Sequence, residues 1–427
     1  MLQREISLGY RYYVLALLTG VNIFSFMDRM IIAVLLEPIK QELQISDGQV
    51  GAMVGMGFAA TYVLCGFPMA RIADRGVRVK LITVAVTFWS VLTMLSGAVT
   101  NAMQMLIARL GVGVGEAGGQ PPAQALVAEY FPIERRTVAL GVFSTGAFLG
   151  SFLGASMAGY LGETYGWRSA FVALGALGLP FALLFGLTVR ELPLPQQPAE
   201  SESRNFFQAL AAMLRRPAYR NVMIANGILS FTSWGANTFN PAFFLRTHGL
   251  SISEAGNVQA LASVLPVASI LLVSFATSRL FKRNPMWLIW VPMIAATAAI
   301  PFFLGLYLAP VWQLSAASYA VGQVLIGSMF GLFLATMQSL VWSHERALAA
   351  ALLMFFAVFL GMGLGPVAVG LLSDALRPQL GSDSLKWALV ACQLLPVWGV
   401  FHLWLASRTY RDELKGDTSL ETTREER

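Results

Sequence analysis

Four ionisable residues lie inside apolar segments of this 427-residue chain: Asp28 and Arg29 in the first segment, Arg109 and Glu116 in the fourth. A charge in hydrocarbon costs about 2.5–3.5 kcal/mol on insertion scales, so such residues usually mark a cavity or an ion path. Burial favours the neutral form of a carboxyl group, and a nearby cation opposes this effect. We therefore predict that Asp28 and Glu116 bind protons, whereas Arg29 and Arg109 bind an anionic cargo or switch partners. The alternative is a static buried ion pair that only fixes packing.

The spacing of these charges indicates which faces of their helices carry them. Successive residues of a helix diverge by about 100°, so Arg109 and Glu116 lie within about 20° of each other on one face. The opposite face of that segment carries glycines, Gly111, Gly115 and Gly118. We expect this helix to pack through its glycines and to turn its charges inward. Asp28 and Arg29 diverge, so we expect one of them to reach across to the fourth segment.

A second group of charges lies in the two polar loops that follow the second and fourth apolar segments. Its members are Asp74, Arg75, Arg78, Glu129, Arg135 and Arg136. Opposite charges in adjacent loops can pair to close the cytoplasmic side and separate when that side opens, so we predict a cytoplasmic gate. The alternative is a set of solvated charges that sets topology, because an exposed ion pair contributes only about 0–1 kcal/mol.

The second half of the chain offers amide, aromatic and thioether groups in place of charges. The candidates for cargo binding are Asn226, Trp234, Asn237, Asn240, Phe330 and Met337. A helix interrupted by Asn, Gly and Pro can bend around a site, and soft side chains suit an apolar tail. The alternative is that most of these residues face lipid or fill the core. A charged first half and an apolar second half together indicate an amphipathic anion as cargo.

The elements that position these residues are apolar segments long enough to cross a bilayer. Of the chain, 56% is apolar and 12% charged, half the charge of a typical soluble domain. A spanning helix needs about 20 apolar residues, and Ser46 with Gln49 predicts a capping box before the second one. The sequence therefore predicts an all-α membrane protein with twelve transmembrane helices. The segments are 12–36, 47–69, 81–99, 103–126, 137–161, 168–189, 221–245, 254–277, 286–308, 312–341, 346–373 and 384–406.

The two halves of the sequence repeat each other. With Glu134 over Glu345, identical residues coincide along the fifth and eleventh segments, and Glu163 falls over Asp374. This predicts two parallel six-helix bundles, with the cargo site between them near the middle of the membrane. The predicted domains are an N-terminal bundle (1–190), a cytoplasmic linker with an amphipathic helix (191–220), a C-terminal bundle (221–406) and a cytoplasmic tail (407–427).

Several function classes are disfavoured. The net charge of +6 comes from Lys and Arg in the termini and even-numbered loops, which predicts cytoplasmic termini rather than nucleic-acid binding. Two cysteines in apolar segments and three scattered histidines predict no metal, no cofactor and no disulfide. No Gly-Lys-Ser/Thr motif occurs to bind nucleotide phosphates. An enzyme using Asp28 and Glu116 as an acid/base pair is disfavoured, because no nucleophile accompanies them.

Several motifs together resemble a known family. They are Asp28-Arg29 in the first segment, Ala70-Arg71-Ile72-Ala73-Asp74-Arg75 after the second, Gly113-Val114-Gly115-Glu116-Ala117 in the fourth, Glu129-Tyr130-Phe131-Pro132 after it, and Gly166-Trp167-Arg168 before the sixth. They resemble the major facilitator superfamily over the whole chain, and most closely a bacterial-type Spinster transporter of sphingosine phosphate and lysolipids. The sequence departs from the animal members at Gly118-Gly119-Gln120, where those proteins carry Ser-Tyr.

The resemblance implies proton-coupled, alternating-access transport of a lysophospholipid-like anion, with Asp28, Arg29 and Glu116 at matching positions. It leads us to expect a monomer in the bacterial inner membrane. Organic-anion symporters of the same superfamily share the Asp-Arg and Gly-x-Gly-Glu-Ala patterns. A proton-coupled symporter of sugar acids therefore remains the alternative function.

Overall fold

The computed structural model describes residues 7–73, 75–192, 206–341 and 345–425, and every regular element in these ranges is helical. Elements in the first half are α1 (Leu8–Val34), α2 (Leu36–Leu43), α3 (Asp47–Gly51), a π-helical turn (Ala52–Gly57), α4 (Phe58–Ala73), α5 (Arg78–Ser96), α6 (Ala102–Ala117), α7 (Gln120–Tyr130), α8 (Ile133–Tyr165) and α9 (Trp167–Thr188). The predicted capping box is confirmed at the start of α3, where Ser46 accepts from the Gln49 amide and Gln49 accepts from the Ser46 amide.

The second half continues in the same way after a short linker helix. Its elements are α10 (Phe206–Arg215), α11 (Pro217–His248), α12 (Ile252–Val264), α13 (Pro266–Phe281), α14 (Trp287–Leu308), α15 (Trp312–Ile326), α16 (Met329–Ser339), α17 (Arg346–Phe356), a π-helical segment (Ala357–Leu364), α18 (Gly365–Leu380), a 3₁₀ turn (Gly381–Asp383), α19 (Ser384–Cys392) and α20 (Leu395–Glu425).

These helices confirm the predicted fold class. Nine stretches of the described residues are long and apolar enough to cross a membrane, and the last, Leu348–Leu414, includes the twelfth predicted segment and nearly all of the eleventh. The two remaining predicted segments are helical but more polar. α6 carries Arg109 and Glu116 and ends just before Gly118, and α11 carries several asparagines. The chain is therefore an all-α integral membrane protein.

The helices form two compact units that differ from the two sequence halves. Unit 1 comprises Met1–Gln196, Asn237–Val264 and Pro366–Leu385, and unit 2 comprises the rest of the chain. In unit 1, α8 lies along both α1 and α12. The backbones of α1 and α8 touch because α8 presents glycines: a Cβ added at Gly150 would lie 2.3 Å from the Ile23 carbonyl oxygen. Loss of that glycine would therefore separate α1, which carries Asp28 and Arg29, from α8.

Unit 2 reproduces this packing and has its own apolar core. A Cβ added at Gly365, the repeat partner of Gly154, would lie 2.4 Å from the Phe231 carbonyl oxygen of α11. The core contains Tyr219, Phe333 and Met337, all 3% exposed or less. The amphipathic linker helix predicted from the sequence is present as α10. Its Met213 lies in this core and is 1% exposed, so apolar burial holds the linker helix within unit 2.

Candidate functional site

Only one of the two carboxylate oxygens of Glu116, on α6, makes hydrogen bonds in the described part of the chain. Its Oε2 accepts hydrogen bonds from Arg29 Nη2 at 2.6 Å, from Arg29 Nε at 3.0 Å and from Ser25 Oγ at 2.6 Å. Its Oε1 is buried and has no hydrogen-bond partner in the part of the chain that the structure describes. Glu116 is 0% exposed, whereas the Arg29 side chain is 10% exposed. An ionised carboxylate offers about four acceptor positions, so the unfilled side of Glu116 is available to a proton.

Asp28 forms a separate ion pair. Arg109 donates from Nη1 to Asp28 Oδ2 at 2.9 Å and from Nη2 to Ser96 Oγ at 2.7 Å. Thr93 donates to the other oxygen of Asp28. Asp28 and Arg109 are each 4% exposed, and the Arg109 guanidinium lies over the Phe171 ring. Asp28 and Arg29, which are adjacent on α1, thus both form ion pairs with residues of α6. The sequence predicted that only one of them would do so.

The glycine face of α6 is confirmed. A Cβ added at Gly111 would lie 2.5 Å from the side chain of Leu92, and one at Gly115 would lie 2.9 Å from Trp89 Cβ. Both contacts are with α5, against which α6 packs. Close approach of two helices through small residues is the packing expected for membrane helices. This packing leaves the opposite face of α6 to carry the two charges to α1.

Aromatic rings surround the Arg29 guanidinium. Its central carbon lies 4.7 Å from the ring centroid of Phe26, 4.9 Å from that of Phe58 and 5.9 Å from that of Tyr62. Such contacts stabilise a cation by about 0.5–1 kcal/mol when exposed and by ~2 kcal/mol when desolvated. Within the described residues, the hydrogen bonds of this side chain use Nε and Nη2 and leave Nη1. Arg29 therefore retains donors for a further anion.

A chain of hydrogen-bonded amides ends at Tyr62, one of the aromatic residues around this arginine. Asn22 Nδ2 donates to the Phe143 carbonyl oxygen at 2.9 Å, and Gln120 Nε2 donates to Asn22 Oδ1 at 2.6 Å. The Tyr62 hydroxyl donates to Gln120 Oε1 at 3.4 Å. None of these residues is among the site residues predicted from the sequence. The signal that could have found Gln120 is its position directly after Gly118 and Gly119, where the fourth span breaks between α6 and α7.

The structure brings together two members of the predicted cytoplasmic gate. Arg78 forms an ion pair with Glu129, and both side chains are largely buried. The N-terminus of α5 is capped by Glu191, which accepts from the amides of Arg78 at 2.9 Å and Val79 at 2.7 Å. Glu191 was not among the predicted residues. A carboxylate at a helix N-terminus is stabilised by the helix dipole, so Glu191 fixes the start of α5, where Arg78 lies.

Three of the four other predicted gate residues lie in the described part of the chain. Asp74 lies outside the described residues. Arg75 and Arg135 are exposed. Nε of Arg136 is buried without a hydrogen-bond partner in the described part of the chain.

The predicted cargo residues of the second half fall in both units. In unit 1, Asn240 is 2% exposed, and Asn237 accepts a hydrogen bond from Gln259 at 2.8 Å. In unit 2, Asn226 is buried and its Nδ2 has no partner among the described residues, while Trp234 lies against Gly361. Met337 is fully buried in the apolar core, so its surface is unavailable to cargo in this structure. The Phe330 side chain lies outside the described part.

Apolar helices long enough to cross a membrane, with two ion pairs buried on facing helices of one unit, are typical of a membrane transport protein. Residues 18–406 match the model of the Major Facilitator Superfamily. The chain belongs to this superfamily and is a transporter, not an enzyme. Its sequence is 34% identical over 406 residues to an MFS-type efflux pump of Mycolicibacterium smegmatis (strain ATCC 700084 / mc(2)155), covering 92% of each chain.

Structural similarity confirms the resemblance to Spinster transporters. A bacterial homologue of the human lysosomal transporter Spinster, solved in an inward-facing and unoccupied conformation, superposes with a TM-score of 0.87 at 27% identity. The match covers 96% of this chain and 99% of the other. A probable L-galactonate transporter of Escherichia coli (strain K12) is 23% identical over 61% of this chain and 60% of its own length.

Proposed function

We propose that this protein is a proton-coupled transporter of an amphipathic anion of the lysophospholipid or sphingosine phosphate class. The observation that carries the proposal is the half-satisfied carboxylate of Glu116 bound to a partly exposed Arg29. Protonation of Glu116 removes the negative charge that holds Arg29. The guanidinium then becomes available to the anionic group of the cargo.

The coupling is reciprocal by thermodynamic necessity. A cargo anion that draws Arg29 away leaves Glu116 buried and without a counter-charge, and burial then favours the protonated carboxyl. Cargo binding and proton binding at Glu116 therefore strengthen each other. We assign Asp28 and Arg109 the same relation as a second proton site and its partner.

The rest of the proposal concerns placement. We propose that the protein lies in a bacterial inner membrane as a monomer with cytoplasmic termini, in accord with the basic residues of its even-numbered loops. Arg78 and Glu129 are proposed as an ion pair of the cytoplasmic gate. Side chains of the second half, Trp234 among them, are proposed to accommodate the apolar tail.

The test measures flux of a labelled lysolipid, sphingosine phosphate included, into proteoliposomes with and without a pH gradient. Glu116→Gln mimics the protonated carboxyl, so we expect gradient-driven accumulation to be lost while exchange of lipid for lipid continues. Glu254→Gln makes the same change at an exposed residue of unit 1 and should behave as the native protein. Unchanged gradient dependence in Glu116→Gln contradicts the proposal.

A second candidate function is proton-coupled symport of a small organic acid. It is favoured by the similarity to the L-galactonate transporter, since Arg29 can bind a carboxylate as well as a phosphate. A sugar acid added to the same proteoliposomes separates the two functions. Gradient-driven sugar-acid flux without lysolipid movement supports this candidate and contradicts the first.

A further inference from the structure

The amide chain that ends at Tyr62 has a fixed direction. It begins at the backbone carbonyl of Phe143, which can only accept, so the Asn22 side chain must present its NH₂ group there. The Asn22 oxygen then faces Gln120 and accepts from its NH₂ group at 2.6 Å. The Gln120 oxygen is left at the far end of the chain. This backbone anchor decides the orientation of both amides, which a side chain alone would leave ambiguous.

The open end of the chain is an acceptor that is weakly occupied. The Tyr62 hydroxyl lies 3.4 Å from Gln120 Oε1, beyond the range of about 2.5–3.0 Å for O–H···O hydrogen bonds. Asn22 is 3% exposed, whereas Gln120 and Tyr62 are partly exposed. An incoming donor can therefore displace the Tyr62 hydroxyl at little cost and bond to Gln120 Oε1.

Tyr62 links this acceptor to the cation of Arg29. The Tyr62 ring that contacts Gln120 through its hydroxyl is also one of the rings around the Arg29 guanidinium. The cluster thus combines a donor set for an anion with an acceptor for a neighbouring group. The positive charge of Arg29 disfavours a second cation there, so a neutral hydroxyl fits better than an ammonium group.

We infer that Gln120 is a specificity-determining residue, whose carbonyl oxygen accepts a hydrogen bond from a hydroxyl group adjacent to the anionic group of the cargo. The inference rests on the proposed function and assigns recognition of the free hydroxyl of the lysolipid to one residue. Asn22 is a positioning residue that holds the Gln120 amide in place. Gln120 recognises the hydroxyl, while Arg29 binds the charge.

The test compares two lipids of equal charge and tail: a 1-acyl-glycerol 3-phosphate and its 2-deoxy analogue, which lacks the hydroxyl. Flux of each is measured in proteoliposomes under the same pH gradient. We expect the native protein to favour the hydroxylated lipid by about tenfold, which corresponds to about 1.4 kcal/mol. In Gln120→Met the ratio should fall towards one, because the flux of the hydroxylated lipid drops more than the flux of the deoxy analogue.

Two further variants give independent readouts. Gln323→Met makes the same substitution in α15 of unit 2 and should keep the native ratio. Tyr62→Phe removes the donor that competes for Gln120 Oε1 but keeps the ring beside Arg29, so its ratio should equal or exceed the native value. Because Tyr62→Phe is a conservative change, it tests the inference even where Gln120→Met does not fold.

The outcomes separate this inference from the proposed function. Gradient-driven movement of both lipids at equal rates by the native protein overturns the role of Gln120 and leaves lysolipid transport standing. The role of Gln120 is also overturned if Gln120→Met keeps the native ratio of hydroxylated to deoxy lipid flux, or if Tyr62→Phe loses that ratio. Movement of neither lipid overturns both proposals.

Discussion

Replacement of Asp47 is the perturbation for which the structure predicts the largest loss of stability outside the candidate site. This carboxylate is 1% exposed and joins four elements of unit 1. It accepts from Lys40 Nζ at 2.6 Å, from both Nη atoms of Arg246 at 2.8 Å and from Ser373 Oγ at 2.7 Å. Arg246 also donates to Glu37 at 2.7 Å. The four charged groups therefore balance, with two cations and two anions.

The expected cost of Asp47→Asn follows from that balance. Removing one partner of a buried pair costs about 3–5 kcal/mol, because the other charge stays buried and uncompensated. Arg246 retains Glu37, but Lys40 has no other ion pair in the described part of the chain. Most of the loss should therefore come from Lys40, and we expect a decrease of about 4 kcal/mol in the free energy of unfolding.

The assay is a double-mutant cycle measured by denaturant unfolding of the detergent-solubilised protein. Lys40→Met removes the stranded ammonium and keeps an apolar stem of similar length. The double variant should then recover about half of the loss caused by Asp47→Asn alone, because residues in contact couple by about 0.5–3 kcal/mol. Asp383→Asn, at an exposed position, is the matched control and should stay within about 0.5 kcal/mol of the native protein.

Two results would refute the reasoning. A loss below about 1 kcal/mol in Asp47→Asn would show that the cluster behaves as an exposed pair. Strict additivity of the two single changes would show that Lys40 is not the group left uncompensated.

Three other outcomes can be measured in the same system. Gly150→Ala should destabilise the protein by several kcal/mol, because the added methyl group would clash with the α1 backbone. Gly141→Ala, in the same helix but with nothing within 4 Å of the added Cβ, should stabilise the protein by about 0.5–1 kcal/mol. Equal effects of the two changes in denaturant unfolding would contradict the close packing of α8 on α1. Hydrogen bonds from Arg168 and Trp167 lower the pKa of Glu42 from its ordinary value of 4.5. The difference in stability between the native protein and Glu42→Gln should therefore be present at pH 7 and vanish as the pH falls through that lowered pKa. A difference that is unchanged at low pH would contradict the role of these hydrogen bonds. Glu163→Gln should lower the stability to chemical denaturation, because this carboxylate accepts from the amide of Ser253 at the start of α12 and its negative charge is favourable at a helix N-terminus. No loss would mean that the charge is dispensable.

The sequence by itself determined the elements and their local chemistry. The length and apolarity of the segments predicted twelve spans, because a bilayer imposes a minimum helix length that composition reveals directly. Ser46 and Gln49 predicted a capping box, and the spacing of Gly111 and Gly115 predicted the packing face of α6. All three are properties of residues a few positions apart, so helical periodicity is enough to read them.

Tertiary structure alone decided which groups meet. Four intramembrane charges allowed several pairings, and the rotation and register of α1 against α6 selected Arg29 with Glu116 and Asp28 with Arg109. The same applies to Asp47, which is joined to residues 199 and 326 positions away. No periodic pattern encodes such distances, because they depend on how helices from distant parts of the chain pack together.

The amide chain that ends at Gln120 shows most plainly what cannot be predicted from the sequence. Its members come from α1, α4 and α7, and its direction is set by a backbone carbonyl on α8. A backbone carbonyl is present at every residue and leaves no trace in the sequence. The sequence therefore determines which residue types are available to the site. Only the folded protein determines the orientation in which the Gln120 oxygen can act as an acceptor.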